Sequence, residues 1–78
     1  MLPELTDREN EILEQIAYGF TNKEISGNLS ISESTVENHI HSIYLKLGIS
    51  NRAQAVGYAF HLSIVLLEDF IKNRGNPP

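Results

Sequence analysis

The sequence has no cysteine among its 78 residues and no tryptophan. Without cysteine, disulfide-bonded scaffolds and thiolate zinc sites are excluded, and the composition fits a reducing, cytoplasmic setting. The longest hydrophobic run covers residues 64–67, whereas a membrane-spanning helix needs about 20 residues. No secretory signal is indicated either, because charged residues soon follow Leu2. We therefore expect a soluble cytoplasmic chain with no membrane partner.

Basic residues are also scarce. The chain has 6 lysines and arginines against 10 aspartates and glutamates, and its formal net charge is −4. Residues 1–19 account for this excess, since residues 20–78 hold five charged side chains of each sign. Proteins that bind nucleic acid generally carry a basic patch. Any such surface on this chain is therefore expected to have few cations facing phosphate.

The remaining composition indicates one domain with one core. Of the 78 residues, 41% are hydrophobic, which is enough for a folded module. The hydrophobic residues recur at helical spacing, as Val36, Ile40 and Ile43 do, and no segment alternates as a strand would. We therefore predict an all-α fold.

Four helix starts are indicated by residues that cap helix N-termini, namely Thr6, Thr21, Ser32 and Asn51. Glu9 and Glu24 follow the first two at the spacing of a capping box, and Gln54 follows the last as a weaker example. Gly19 and Gly48 are suited to ending helices. The predicted helices cover residues 7–18, 22–29, 33–47 and 52–62.

Residues 63–78 extend beyond what four helices need. If they are helical, one apolar stripe is formed by Phe60, Ile64, Leu67 and Ile71. The fourth helix is then extended, or a fifth follows it, before a frayed end. We divide the chain into a domain over residues 1–62 and an extension over residues 63–78. The stripe either packs on the domain's own core or forms a surface for self-association.

Only Ser30 and Ile31 separate the second helix from the cap of the third. Two short helices joined by so tight a turn form a helix-turn-helix unit, whose second helix lies in the major groove of DNA. Opposite its core stripe, the third helix has an outward face made up of Ser34, Asn38, His41, Ser42 and Leu45, flanked by Thr35 and Glu37. Polar side chains of this kind read base edges, although a helix face that is only solvated has the same pattern.

Several runs of residues follow one another in a characteristic order. They are LTDRENEIL at 5–13, Gly19, TNKEI at 21–25, LSIS at 29–32, STVENH at 34–39, IYLKLG at 43–48 and NRAQAV at 51–56. Together they resemble the DNA-binding domain of the LuxR/FixJ (GerE-like) family, whose opening typically reads L-T-x-R-E-x-E-V-L. The resemblance covers residues 5 to about 60 without a gap.

The resemblance implies a bacterial transcription regulator that binds double-stranded DNA as a homodimer, with RNA polymerase as a candidate partner. It is either the output domain of a larger response regulator or a short regulator of its own. Base contacts would come from Glu37, Asn38 and His41. Contacts with the DNA backbone would come from Lys23, Ser32, Ser34, Thr35, Ser42, Lys46 and Arg52. The fourth helix would supply the dimer contact through Ala55, Ala59 and Phe60, while Arg8 and Glu9 would tie the first helix to the rest.

Some positions depart from the family. Glu37 stands where many members have lysine or arginine, so a base preference cannot be transferred from those members. Ser26 replaces a usual alanine, and Gly27 costs the second helix about 1 kcal/mol relative to alanine.

A metal site and an active site are both disfavoured. His39 and His41 are two residues apart and point to different sides of a helix, which leaves Glu37 and His41 as a lone pair on one face. No glycine-rich phosphate loop or nucleophile elbow accompanies the serines. We therefore predict no metal, no cofactor, no small-molecule ligand and no enzymatic activity.

Two alternatives stay open. Region four of sigma factors also has a helix-turn-helix after a similar first helix, although KLG at residues 46–48 and NR at residues 51–52 favour the LuxR type. The second alternative is an acidic protein-interaction module that keeps the fold and no longer binds DNA, as the net charge and Glu37 indicate.

Truncation after Leu62 tests the role of the extension. If the apolar stripe is a self-association surface, the full chain should sediment as a dimer and the truncated chain as a monomer in analytical ultracentrifugation. The same monomer mass for both chains would show that the stripe does not join two copies.

Overall fold

Four α-helices make up most of the described structure. The computed structural model describes residues 4–62 and residue 72, and it has no β-strand within residues 4–62. The helices are α1 (Asp7–Ala17), α2 (Asn22–Leu29), α3 (Glu33–Leu47) and α4 (Arg52–His61). The all-α fold is therefore confirmed, with every helix end within one residue of the prediction. The expected extension over residues 63–78, with its longer or fifth helix and its apolar stripe, lies outside the described residues apart from residue 72.

Each helix begins at the capping residue that the sequence indicates. Complete capping boxes start α1 and α2, formed by Thr6 with Glu9 and by Thr21 with Glu24. At α4 the Asn51 side chain accepts a hydrogen bond from the Gln54 N–H (2.9 Å). The Gln54 side chain reaches one residue further back and accepts from the Ser50 N–H (2.8 Å). Asn51 therefore caps α4, but Asn51 and Gln54 lack the reciprocal bond of a capping box.

The turn between α2 and α3 is closed by backbone hydrogen bonds. Ser30 ends α2 in the left-handed region (φ 56°, ψ 43°), which residues other than glycine adopt rarely. This conformation lets the Ile31 N–H donate to the Ser26 carbonyl oxygen (3.0 Å), as in a Schellman motif. Gly19 and Gly48 follow α1 and α3 with φ of 92° and 67°. Both glycines therefore act as the predicted helix ends.

The core is centred on α1. Ile12, Leu13 and Ile16 of α1 are buried, and α1 packs against both α3 and α4, while α2 packs against α3. The other helices contribute the fully buried Ile25, Val36, Ile43, Ala55 and Ala59. Full burial of each large aliphatic side chain stabilises the fold by about 1.5–3 kcal/mol. Within residues 4–62, no helix combines the length and hydrophobicity that crossing a membrane requires.

The fully buried side chains of α4 are both alanines. Ala55 and Ala59 have no exposed surface, and residues four positions apart lie on one side of a helix. From the sequence, these two residues were expected at a dimer contact, whereas the structure places them in the core of their own chain. A dimer contact through α4 stays a prediction. Phe60, the third residue of that expectation, is half-buried against the same core.

Replacing Ala59 with leucine should destabilise the fold, because three added carbon atoms have no space where the alanine is fully buried. Such overpacking costs about 1–3 kcal/mol, which should lower the midpoint of urea denaturation. The exposed Ala53 of the same helix supplies the control, since Ala53→Leu should leave the midpoint almost unchanged. Equal midpoints for the two variants would contradict close packing of α4 on α1.

Candidate nucleic-acid interface

The outward side of α3 is formed by exposed residues, which we call the recognition face: Ser34, Glu37, Asn38, His41 and Leu45. At 3.6 residues per turn, they lie within an arc of about 100°. The opposite side of α3 is buried and consists of Val36, Ile40, Ile43 and Leu47. The three predicted base contacts, Glu37, Asn38 and His41, therefore share one exposed surface. Ser42, expected on this face, is instead half-buried toward α1.

Hydroxyl groups at the start of α3 are occupied in capping the helix. The Ser32 Oγ accepts a hydrogen bond from the Thr35 N–H (3.1 Å) and lies 2.9 Å from Thr35 Oγ1. Ser34 is exposed beside them. The N-terminus of a helix favours an anion through its unpaired N–H groups and its dipole. The predicted backbone contacts Ser32, Ser34 and Thr35 therefore lie where a phosphate would be favoured.

A buried carboxylate joins α1 to the C-terminal half of α3. Glu9 Oε1 accepts from the Thr6 N–H (2.8 Å) and from the Lys46 ammonium (2.7 Å). Glu9 Oε2 accepts from the Ser42 hydroxyl (2.9 Å). The Glu9 side chain is 4% exposed and that of Lys46 is 36% exposed. Glu9 thus ties α1 to the rest of the fold, and it holds two predicted DNA-backbone contacts, Ser42 and Lys46.

These bonds keep Glu9 ionised. Burial alone would raise the pKa of the Glu9 carboxyl, but hydrogen bonds from Lys46, Thr6 and Ser42, together with the Lys46 charge, lower this pKa to about 2. At neutral pH the carboxylate and the ammonium therefore compensate each other. A phosphate that approaches Lys46 would meet a cation that already has a partner.

Arg52 also bonds to its own chain. One guanidinium nitrogen donates to the side-chain oxygen of Asn22 (2.8 Å), and another donates to the carbonyl oxygen of Phe20. Both acceptors lie at the start of α2, so Arg52 fastens α4 to the helix-turn-helix. The contact of Arg52 with the DNA backbone stays a prediction. Its hydrogen bonds to Asn22 and Phe20 position α4 against the helix-turn-helix.

The remaining cations of residues 4–62 differ in availability. The Arg8 guanidinium pairs with Glu11 (3.2 Å) on the same helix. Within residues 4–62 it makes no bond to another helix, although one was expected from the sequence. Lys23 is exposed near the start of α2, and its ammonium makes no ion pair within residues 4–62. Of the predicted backbone contacts that carry a charge, Lys23 is therefore the most accessible to phosphate.

The described part of the chain offers no group of three or more His, Asp or Glu side chains that could hold a metal ion. His39 is half-buried, whereas His41 is exposed on the recognition face. Glu37 and His41 share that face, and a zinc ion needs more ligands than this pair supplies.

Three features of the site had little or no signal in the sequence. The bonds from Ser42 and Lys46 to Glu9 join residues 33 and 37 positions apart. A hydrogen bond from Asn28 to the buried Gln15 (2.9 Å) joins α2 to α1. The third feature is Leu45, which is 70% exposed. The helical period places it on the outward side, but the period does not assign it a role.

Comparison with known proteins relates these features to a family. The family model described as "Bacterial regulatory proteins, luxR family" matches residues 3–59. The chain is 49% identical over 63 residues to the probable transcriptional regulatory protein SgaR of Hyphomicrobium methylovorum, covering 81% of this chain and 29% of that protein. It is 46% identical over 55 residues to the CsgBAC operon transcriptional regulatory protein of Escherichia coli (strain K12), covering 70% of this chain and 26% of that protein.

A solved structure shows the same fold. The response regulator ChrA of a heme-sensing two-component system superposes with a TM-score of 0.74 at 39% identity, over 80% of this chain and 31% of that one. The chain spans less than a third of the length of these relatives. The similarity therefore concerns one part of those longer proteins.

Replacing Glu9 with glutamine should lower the free energy of unfolding by about 1–3 kcal/mol. A neutral amide cannot keep the charge-assisted bond with Lys46 while also accepting from Thr6 and Ser42. Urea denaturation at neutral pH measures the loss. The control is Glu24→Gln, which changes the glutamate of the other capping box at an exposed position and should cost less.

The stability lost in Glu9→Gln should also depend on pH. The folded state lowers the Glu9 pKa from 4.5 to about 2, so the contribution of Glu9 is complete above pH 4.5 and is lost as the pH falls toward 2. The difference in stability between wild type and Glu9→Gln should therefore shrink over that range. A difference that is absent at neutral pH, or that grows in acid, would contradict the role given to Glu9.

Proposed function

Because the chain belongs to the luxR family of bacterial regulatory proteins, we propose that it binds double-stranded DNA sequence-specifically, with α3 in the major groove. The chain is a helix-turn-helix domain of the type found in transcription regulators. The recognition face carries the proposal, because Glu37, Asn38 and His41 are exposed together on a helix whose other side is buried. A helix with its side chains is about 10–12 Å wide, which matches the major groove of about 12 Å.

Each predicted base contact has a chemistry that suits the groove. The Asn38 amide can donate to and accept from adenine at the same time, and the Glu37 carboxylate can accept from the amino group of cytosine. His41 lies one turn after Glu37 on the same face. The bonds of Glu9 to Ser42 and Lys46 hold the next turn of α3 in place. The reading side chains therefore project from a supported helix.

The available positive charge predicts weak binding by a single copy. Lys46 and Arg8 are compensated by Glu9 and Glu11, so among residues 4–62 few cations remain to displace counterions from DNA. We propose that two copies bind adjacent half-sites, because contact between the copies raises the effective concentration of the second copy at its half-site. With Ala55 and Ala59 in the core, the contact between copies would use the outer side of α4. There an open groove is lined by Gly48, Ile49, Gln54, Gly57, Tyr58 and His61.

Asn38→Ala should relax base preference at one position of the half-site, with a loss of about 1–3 kcal/mol for the preferred sequence. The preferred site is first selected from a random pool of duplexes, and each base pair is then varied in fluorescence anisotropy titrations. Equal weakening on every sequence would show that Asn38 does not read a base. Absence of wild-type binding to any duplex at low salt would instead favour the acidic protein-interaction module.

Lys23→Ala should weaken binding to all sequences alike and reduce the slope of log affinity against log salt by about 1. Lys23 suits this test better than Lys46, since removal of Lys46 would also leave Glu9 buried without its cation. Arg8→Ala is the control, because its charge is paired with Glu11. An unchanged salt slope for Lys23→Ala would exclude a phosphate contact by this lysine.

A further inference from the structure

Leu45 is the large hydrophobic residue that the described part of the chain leaves exposed, at 70% of its surface. A single exposed leucine needs no explanation by itself. Leu45 is distinguished by its position, because it lies on the recognition face with Asn38 and His41. Leu45 follows His41 by one helical turn, about 6 Å along the axis, and follows Asn38 by two turns.

The turn of α3 that bears Leu45 is anchored on one flank. Ser42 and Lys46 bond to Glu9 on the side of α3 that faces α1. Both neighbours are thus drawn toward α1, and Leu45 projects away from them into solvent. Its exposure is consequently a property of the folded helix and not of a loose chain end.

The major groove offers an apolar group that matches such a side chain. Most base-edge atoms there are hydrogen-bond donors or acceptors, but thymine presents its C5-methyl group. The polar residues of the recognition face can form hydrogen bonds with the donors and acceptors, whereas a leucine can only make an apolar contact with the methyl group. We propose that Leu45 is a specificity-determining residue, which contacts the C5-methyl group of a thymine beside the base pair nearest His41. This proposal rests on the proposed function of α3.

The contact can be tested by removing the methyl group from the DNA. Each thymine of the selected site is replaced in turn with uracil, which keeps the base pairing and lacks only the C5-methyl group. At one position in each half-site, uracil should weaken wild-type binding about fourfold, the equivalent of one buried methyl group. Uracil at the other positions should have no such effect.

A protein variant then assigns the contact. Leu45→Ala should bind the thymine and uracil duplexes equally at that position, while Asn38→Ala should still discriminate between them about fourfold. Thermal denaturation of Leu45→Ala should match wild type, because the side chain is exposed. Discrimination that persists in Leu45→Ala, or wild-type binding that is indifferent to uracil everywhere, would overturn the proposal. Equal weakening of every duplex by Leu45→Ala would overturn it as well, since that result indicates an effect that does not depend on the thymine methyl group.

Duplexes with cytosine at this position distinguish thymine from 5-methylcytosine, the two natural bases that carry a C5-methyl group. 5-Methylcytosine at the same position should bind wild type about fourfold more tightly than cytosine, which would support a contact with the methyl group. Tighter binding to 5-methylcytosine than to thymine would overturn thymine as the base that is read. The proposed function fails separately, if the wild-type chain selects no sequence from the random pool.

Discussion

The rest of the structure depends on the hydrogen bonds and the ion pair that the Glu9 carboxylate makes. One side chain completes the cap of α1, joins α1 to α3 and compensates Lys46. A buried carboxylate that loses its partners is strongly destabilising, so the donors from Thr6, Ser42 and Lys46 must all be in place in the folded chain. This requirement holds the C-terminal half of α3 against α1 before any DNA is bound. The proposed binding of DNA would therefore need little further ordering of that helix.

In the proposed DNA binding, the same carboxylate would affect the balance between affinity and selectivity. Lysine and arginine side chains near DNA contribute mainly attraction that does not depend on sequence. Here Lys46 is compensated, Arg52 is used between helices, and Glu37 adds a negative charge to the recognition face. In the proposed complex with DNA, the polar and apolar side chains of α3 would then contribute a larger share of the binding free energy. This low general attraction is the reason why we propose that two copies bind together.

Local features of the fold could be predicted from the sequence, and distant ones could not. Helix ends were predictable to within one residue, because caps such as Gly48 act over one turn. The exposed side of α3 was predictable as well, since Val36 and Ile43 mark its buried side through the helical period. The buried side of α4 was not, because an alanine such as Ala55 fits both a core and a contact between chains. The bonds of Glu9 were not predictable either, as no periodicity or cap relates residues 33 and 37 positions apart.

The conformation of Ser30 would limit how the domain adjusts to a duplex in the proposed complex. A serine in the left-handed region has much less conformational freedom than a glycine would have there, and the bond from Ile31 to Ser26 closes the turn around it. In the proposed complex, such a closed turn would leave α2 and α3 little freedom to change their angle, so a mismatch in shape would be relieved by bending or twisting the DNA. The energy of that distortion depends on the base steps being deformed. Base pairs that no side chain touches would thereby acquire a share in selecting the site.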